Sequence, residues 1–279
     1  MMKIKVTKMQ GLGNDFVIVD ESEYKKTGLS KEEFAIKICD RNFGVGADGL
    51  IIPDLENKDG CDIGWYFYNS DGSVAQMCGN GIRCFAKYVF DNGFVKSKKI
   101  KVKTLAGIIC PEILDDGTVR VDMGLPILEC KKIPCDFENN LNQKIKTSDC
   151  EFIVNAVSMG NPHCVIFTDK NTLDCAKKYG PELEKNKHFP EKTNVEFVEV
   201  LSKNEINMSV YERGCGITLA CGTGACASVV ASILNNLTDN EVKVNLAKGA
   251  LYISWSGNNE DSVFMIGPCE YSFFAEYLL

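Results

Sequence analysis

YERGCGITLACGTGACASVVA, residues Tyr211–Ala231, decides how the chain is read. A strand end at Tyr211 runs into a glycine-bounded turn. Cys221 then stands among small residues at the mouth of a helix. From Ala225 to Leu234 that helix carries no charge, and a helix apolar on every face is buried on every face. Cys221, Gly222, Thr223 and Gly224 occupy its first turn, where unpaired N–H groups emerge. Those groups and the positive end of the helix dipole favour a bound carboxylate. They also favour a thiolate, so a cysteine placed there is expected to have a lowered pKa.

The chain contains this device twice. Cys78-Gly-Asn-Gly81 opens a second helix, with apolar residues at Ile82, Phe85, Ala86, Val89 and Phe90 and a stop at Asn92-Gly93. The two cysteines are offset by 143 residues (221 − 78), as are Tyr68 and Tyr211, and Gly124 and Gly267. Gly13-Asn14 answers Gly160-Asn161 at an offset of 147 (161 − 14), each pair preceding a β-forming run, FVIV or CVIF. Landmarks in one order at nearly constant offset identify an internal duplication. The expected domains are residues 1–123, joined by 268–279 returning at the C-terminus, and 124–267. Two copies related by a pseudo-twofold axis would set the cysteines facing each other across a cleft, where small-molecule sites usually lie.

Composition bounds the alternatives. The chain has 279 residues, 45% hydrophobic and 25% charged, as an ordinary globular protein does. A net charge of −7 argues against nucleic-acid or anionic-membrane partners, which need a basic footprint. The opening MMKIKVTKMQGLGNDFVIVD interleaves charged and apolar residues like a strand rather than a signal peptide. No apolar run approaches the ~18 residues of a membrane span, and a cytoplasmic location is expected. Fourteen cysteines without an export signal read as reduced thiols. With no C-x-x-C and only His163 and His188 available, no metal site is expected. Cys39, Cys61, Cys110, Cys164 and Cys175 read as small buried hydrophobes.

Phe43–Gly49, FGVGADG, matches G-x-G-x-x-G by letter. The dinucleotide fingerprint must follow a strand and open a helix. Here a helix capped by Ser30 precedes it and the strand-like LIIPD follows, so no nucleotide role is assigned. Strands are also expected at Lys3–Lys8, Phe16–Asp20, Trp65–Asn69, Lys99–Leu105, Thr118–Met123, Phe152–Val157, Cys164–Phe167, Asn194–Leu201, Asn207–Tyr211, Glu241–Leu246, Leu251–Trp255 and Ser262–Ile266, with a short helix at Leu173–Tyr179.

Two facing cysteines suit the inversion of a stereocentre: a thiolate removes a proton from one face of a carbon while a thiol delivers one to the other. The N–H groups after each cysteine would hold the substrate carboxylate and the charge that develops on it. A redox pair is the competing reading, but such pairs are usually adjacent in sequence, as these are not.

GLGNDF (Gly11–Phe16), GVGADG (Gly44–Gly49), NSDGS and MCGNGIRCFAKYV within Asn69–Val89, MGNPHCV (Met159–Val165), Asn194-Val195, and YERG with ACGTGACA together resemble the diaminopimelate epimerase family over nearly the whole chain. That resemblance implies a mixed α/β (α+β) fold of two pseudo-symmetric domains, each a barrel-like sheet around a central helix. It implies an isomerase that interconverts LL- and meso-2,6-diaminopimelate for lysine and peptidoglycan synthesis. It also implies no cofactor, no pyridoxal phosphate and a homodimer. Carried over by motif, Cys78 and Cys221 are the two bases, while Gly79-Asn80 and Gly222-Thr223 clamp the α-carboxylate. Asn14, Gly49, Asn69, Asn161, Asn194, Glu212 and Arg213 hold the substrate, and His163 and Glu212 set protonation near the reacting groups. Val74 and Ile217 depart from the family's usual glutamate in the turns before the two cysteines. A same-fold racemase of another amino acid, such as histidine, is the alternative within this fold, and a cysteine-rich redox or metal-binding protein the alternative outside it.

Overall fold

The computed structural model describes residues 2–56 and 58–279. The chain divides into two compact units, Met1–Val121 with Gly267–Leu279, and Asp122–Ile266. The first part of the chain runs β1 (Lys3–Gly11), β2 (Asn14–Ile18), α1 (Glu21–Lys26), α2 (Lys31–Cys39), β3 (Gly49–Asp54), β4 (Ile63–Asn69), α3 (Gly79–Asp91), β5 (Val102–Thr104), β6 (Gly107–Ile109), β7 (Glu112–Ile113) and β8 (Val119–Asp122). There follow β9 (Gln143–Lys146), β10 (Glu151–Ser158), β11 (Pro162–Phe167), α4 (Thr172–Leu183), β12 (Asn194–Ser202), β13 (Glu205–Glu212), β14 (Gly216–Ile217), α5 (Gly222–Leu234), β15 (Glu241–Leu246), β16 (Gly249–Ser254) and β17 (Phe264–Gly267). Last comes β18 (Glu270–Leu278), which returns to the first unit and pairs antiparallel with β1.

The same wiring builds both units. In the first, the sheet order is β18-β1-β2-β3-β4-β5-β6; in the second it is β9-β10-β11-β12-β13-β15-β16-β17. A hairpin, β1–β2 or β10–β11, leads through helical crossovers to a parallel strand, β3 or β12, and then to an antiparallel one, β4 or β13. Parallel neighbours need such a crossover because their ends lie at opposite edges of the sheet. The β1–β2 turn is made by Leu12 and Gly13, at φ 56° and 88°, the left-handed pair that matches the twist of a two-residue hairpin.

Each sheet is covered on both faces. Val17, Val19, Leu50 and Ile52 pack with Phe34, Ala35 and Ile38 of α2, and the opposite face meets α3. This double burial explains why β3, GLIIPD, is apolar from Leu50 to Pro53 and buried at every residue. In the second unit Cys164, Ile166, Val195 and Phe197 pack with Cys175, Ala176 and Leu183 of α4, and α5 takes the other face. Helix α5 is buried throughout Ala225–Ser232, and each fully buried valine contributes about 1.5–3 kcal/mol. Ser30 forms a reciprocal capping box with Glu33 at the start of α2, worth about 1 kcal/mol.

Four expectations need correction. The stripe assigned to α3 is too narrow: Arg83, Cys84 and Tyr88 are buried as well, because the helix is enclosed rather than laid on a surface. Helix α4 continues past Tyr179 through Gly180 and Pro181, since Gly180 and Leu183 are both buried. Gly180 has no room for a side chain, its Cβ direction ending 2.5 Å from Tyr211 Cβ. The ladder within Lys99–Leu105 is only Val102–Thr104, cut short where Thr104 Oγ1 accepts from Ala106 N. Cys110 is half-buried rather than buried. The G-x-G-x-x-G stretch lies between α2 and β3, and the Cβ direction of Gly44 ends 2.3 Å from the carbonyl oxygen of Lys37, so that glycine serves close packing on the end of α2.

Candidate active site

Cys78 and Cys221 are the N-cap residues of α3 and α5, both with extended backbone. Gly81 N–H donates to Cys78 Sγ at 3.4 Å, and Gly224 N–H donates to Cys221 Sγ at 3.4 Å. The sulfur takes the part that a serine or aspartate oxygen plays at an ordinary cap. Each turn leading in is stitched back to the preceding strand, by Tyr68 against Val74 and by Tyr211 against Ile217. Val74 and Ile217 are 50% and 38% exposed, so neither departure from the family's glutamate disturbs a core.

Around Cys78 the first unit supplies amides and a buried cation. Arg83, fully buried one turn into α3, donates to Gly79 O, to Asn80 Oδ1 at 2.9 Å and to Pro268 O. A guanidinium only donates, so Asn80 must face it with oxygen. Its Nδ2 then reaches Asn14 Oδ1 at 3.1 Å, the same oxygen that accepts from the Cys78 thiol at 3.6 Å. Asn14 Nδ2 completes the chain at Asp48 Oδ2, 2.6 Å away. Asp48 and Asp15 are both held by Arg41, and buried Lys8 pairs with Asp15 at 2.6 Å. Asn69 lies at the exposed end of β4, its amide on Ser73 Oγ. Gly49 is buried in β3, where a Cβ would stand 2.7 Å from the Phe67 ring. Among the positions read from sequence, Asn14, Cys78, Gly79 and Asn80 form one connected group here.

Around Cys221 the second unit supplies carboxylates and an imidazole. The charge of Glu212 acts on the thiol, and the same carboxylate accepts from the Thr218 hydroxyl. Thr223 Oγ1 lies 3.5 Å from Cys221 Sγ. His163, fully buried, sets Nδ1 2.7 Å from Glu196 Oε1 and Nε2 3.1 Å from Asn161 Oδ1. Asn194 is tied inside the fold, donating to Pro162 O and accepting from the Arg213 N–H at 3.0 Å. The Arg213 guanidinium is exposed and reaches Glu191 O.

The expected lowering of the Cys221 pKa does not hold. Burial pushes this thiol well above its ordinary value, and Glu212 and Glu196 add to the rise; Thr223 and the Gly224 N–H only partly offset them. Burial likewise raises Glu212. Sequence alone does not single out Arg83 or Glu196. Arg83 falls within an apolar helix stripe, and Glu196 sits in NVEFVEV, an alternation that reads as outward-facing.

The architecture is shared with solved structures. A PhzF-family phenazine biosynthesis protein of Bacillus anthracis superposes with a TM-score of 0.69 at 15% identity, covering 100% of both chains. A hydroxyproline epimerase from Agrobacterium vitis superposes with a TM-score of 0.69 at 9% identity, covering 98% of this chain and 92% of that one. Likenesses this distant define the class of fold alone: two like units, each a mixed sheet with an enclosed helix. The sequence goes further. The diaminopimelate epimerase family model matches residues 6–129 and 155–272. The diaminopimelate epimerase of Heliobacterium modesticaldum is 48% identical, over 95% of this chain and 96% of its own. That of Pelotomaculum thermopropionicum is 47% identical, over 97% and 98%. The chain belongs to the diaminopimelate epimerase family.

Proposed function

We propose that the chain interconverts LL- and meso-2,6-diaminopimelate by passing the α-proton between two thiols, Cys78 and Cys221, one for each face of the carbon, without pyridoxal phosphate. The observation that carries this reading is the pair of cysteine N-caps, each sulfur 3.4 Å from the N–H of the third helical residue, in a chain of this family. As a thiolate, one sulfur takes the α-proton; the other, as a thiol, gives its proton to the opposite face. One proton is removed and one delivered, so the pair ends with its protonation exchanged.

The N–H groups of Gly79-Asn80 and Gly222-Thr223 receive the α-carboxylate and the negative charge that grows on it. Asn14, Gly49, Asn69, Asn161, Asn194, Glu212 and Arg213 form the rest of the pocket. The planar fork of Arg213 suits the distal carboxylate, and the asparagines can serve carboxylate or ammonium. Glu212 exchanges the Cys221 proton, and His163 holds the protonation of the substrate amine. The same reading makes the protein a cytoplasmic homodimer: fourteen cysteines, all free thiols, suit a reducing compartment. Among the described residues no helix is long and apolar enough to cross a membrane.

The test incubates the protein with single diaminopimelate stereoisomers, and separately with other L-amino acids, in D₂O. Conversion between the LL and meso forms with deuterium at one α-carbon, and no exchange into the other amino acids, is the expected result. Exchange into histidine but not diaminopimelate would transfer the activity to a different racemase.

A further inference from the structure

The duplication lets the two cysteine environments be compared position by position. In the first unit Phe16 pairs with Gly49 and Ile18 with Ile51; in the second His163 pairs with Asn194 and Val165 with Glu196. Phe16 therefore answers His163, and Ile51 answers Glu196. At the strand ends Asn69 answers Glu212, at the 143-residue offset of the cysteines (212 − 69). Three uncharged positions in one unit are three ionisable ones in the other. Glu212 and His163 have roles in the proposed reaction, but Glu196 has none.

Glu196 is fully buried on β12. A carboxylate there is costly unless its charge is answered. Oε1 lies 2.7 Å from His163 Nδ1. The same oxygen lies 2.7 Å from where a Cβ on Gly224 would stand, so the carboxylate sits against the first turn of α5, where the helix dipole favours negative charge. Oε2 has no hydrogen-bond donor among the described residues, so His163 is the side chain that answers the charge.

We infer that Glu196 is a positioning residue for this reaction: its carboxylate holds a proton on His163 Nδ1 and so makes Nε2, beside Asn161, the nitrogen that gains and loses one. The inference rests on the epimerase reading for its catalytic consequence and on geometry for the rest. An ionised carboxylate only accepts, so the nitrogen facing it must carry hydrogen. Asn161 Oδ1 on Nε2 matches a ring protonated at both nitrogens; the amide turned over would donate to a bare Nε2. Nδ1–H is common to both states. Thr223 Oγ1 and the Gly224 N–H lie against the Cys221 sulfur, and the charges of Glu212 and Glu196 act on it. The Glu196 charge thus also helps to keep that sulfur protonated between turnovers.

The chain has two histidines, so a His188→Gln variant assigns the His163 ring in a long-range ¹H–¹⁵N spectrum. The wild-type ring is expected to carry hydrogen on Nδ1, the nitrogen that faces Glu196. A glutamine can donate as well as accept, so in Glu196→Gln the Nε2–H tautomer appears. Cys221 is then alkylated faster at fixed pH, followed by peptide mass spectrometry. In the same variant kcat falls about tenfold or more while KM stays within about twofold. A bare Nδ1 in the wild-type protein overturns the inference, and needs no variant to fold. So does a Glu196→Gln protein whose ring signals or kcat match the wild type. The ring and thiol measurements use no substrate. If they come out as expected while the wild-type protein turns over no diaminopimelate, the functional reading fails and the Glu196–His163 relation does not.

Discussion

The N–H of Gly224 stands 3.4 Å from Cys221 Sγ, and the Cβ that Gly224 lacks would fall 2.7 Å from Glu196 Oε1. Its counterpart Gly81 stands at the same distance from Cys78 Sγ, yet the atoms nearest a Cβ there, Cys78 Cβ and the Phe16 ring, lie no closer than 3.5 Å. Two glycines in one motif thus carry different constraints. Gly81→Ala is expected to leave stability unchanged or raise it by up to about 1 kcal/mol, the helical preference of alanine over glycine. Gly224→Ala is expected to cost about 1–3 kcal/mol by overpacking against a buried carboxylate. Urea unfolding of the two variants measures the difference; equal effects would show that Glu196 does not pack against Gly224.

Cys78→Ala and Cys221→Ala should each remove turnover by a factor of about 10³ or more, as loss of a general acid–base group at the reacting carbon does. Each also loses a weak cap, worth at most about 1 kcal/mol. The variants should therefore stay folded, with near-wild-type circular dichroism and melting temperature. A variant keeping a tenth of the activity would show that its sulfur is not one of the bases.

Arg83 holds Gly79 O, Asn80 Oδ1 and Pro268 O from a fully buried position. Arg83→Leu strands those acceptors and is expected to cost about 3–5 kcal/mol in urea unfolding. A cost below 1 kcal/mol would mean that water replaces the guanidinium freely, contrary to its burial.

Burial raises the thiols of Cys84, Cys164 and Cys221 well above their ordinary value. A folded-state pKa above the unfolded one means the folded protein holds the proton more tightly. That stability is complete below the unfolded thiol pKa of about 8.5 and is lost as pH rises through the folded values. The urea midpoint should therefore decline above about pH 8.5, and Cys221 should be alkylated in the free protein more slowly than exposed Cys215. Glu212→Gln removes one of the charges raising Cys221 and should speed its alkylation. A slower or unchanged rate would contradict the thiol's placement beside that carboxylate.

What the sequence disclosed and what it hid follow from how each feature is encoded. The duplication, the cysteine caps, the Ser30 cap and the uncharged α5 are patterns written along the chain, and each has a counterpart in the structure. Glu196 and Arg83 are buried charges inside strong secondary-structure patterns. Only tertiary cover, α5 over β12 in one case and the enclosing sheet in the other, takes them out of solvent. Strand β18 leaves no alternation in the sequence because residues on both its faces are exposed, so EYSFFAEYL shows no period-two burial. The shift at Cys221 is opposite in sign to the one its sequence neighbours imply, because those are small and neutral, whereas Glu212 and Glu196 reach it only through the fold.

The most direct test of two thiols working on opposite faces is the fate of the α-hydrogen in the first moments of reaction. LL-diaminopimelate is mixed with the protein in D₂O, and substrate and product are separated before appreciable conversion. The account requires deuterium at the inverted carbon of the meso product and ordinary hydrogen in the recovered LL substrate, because the incoming proton comes from the second sulfur. Product that retains the original hydrogen would mean that a single group moves it across the carbon, and the account would be wrong.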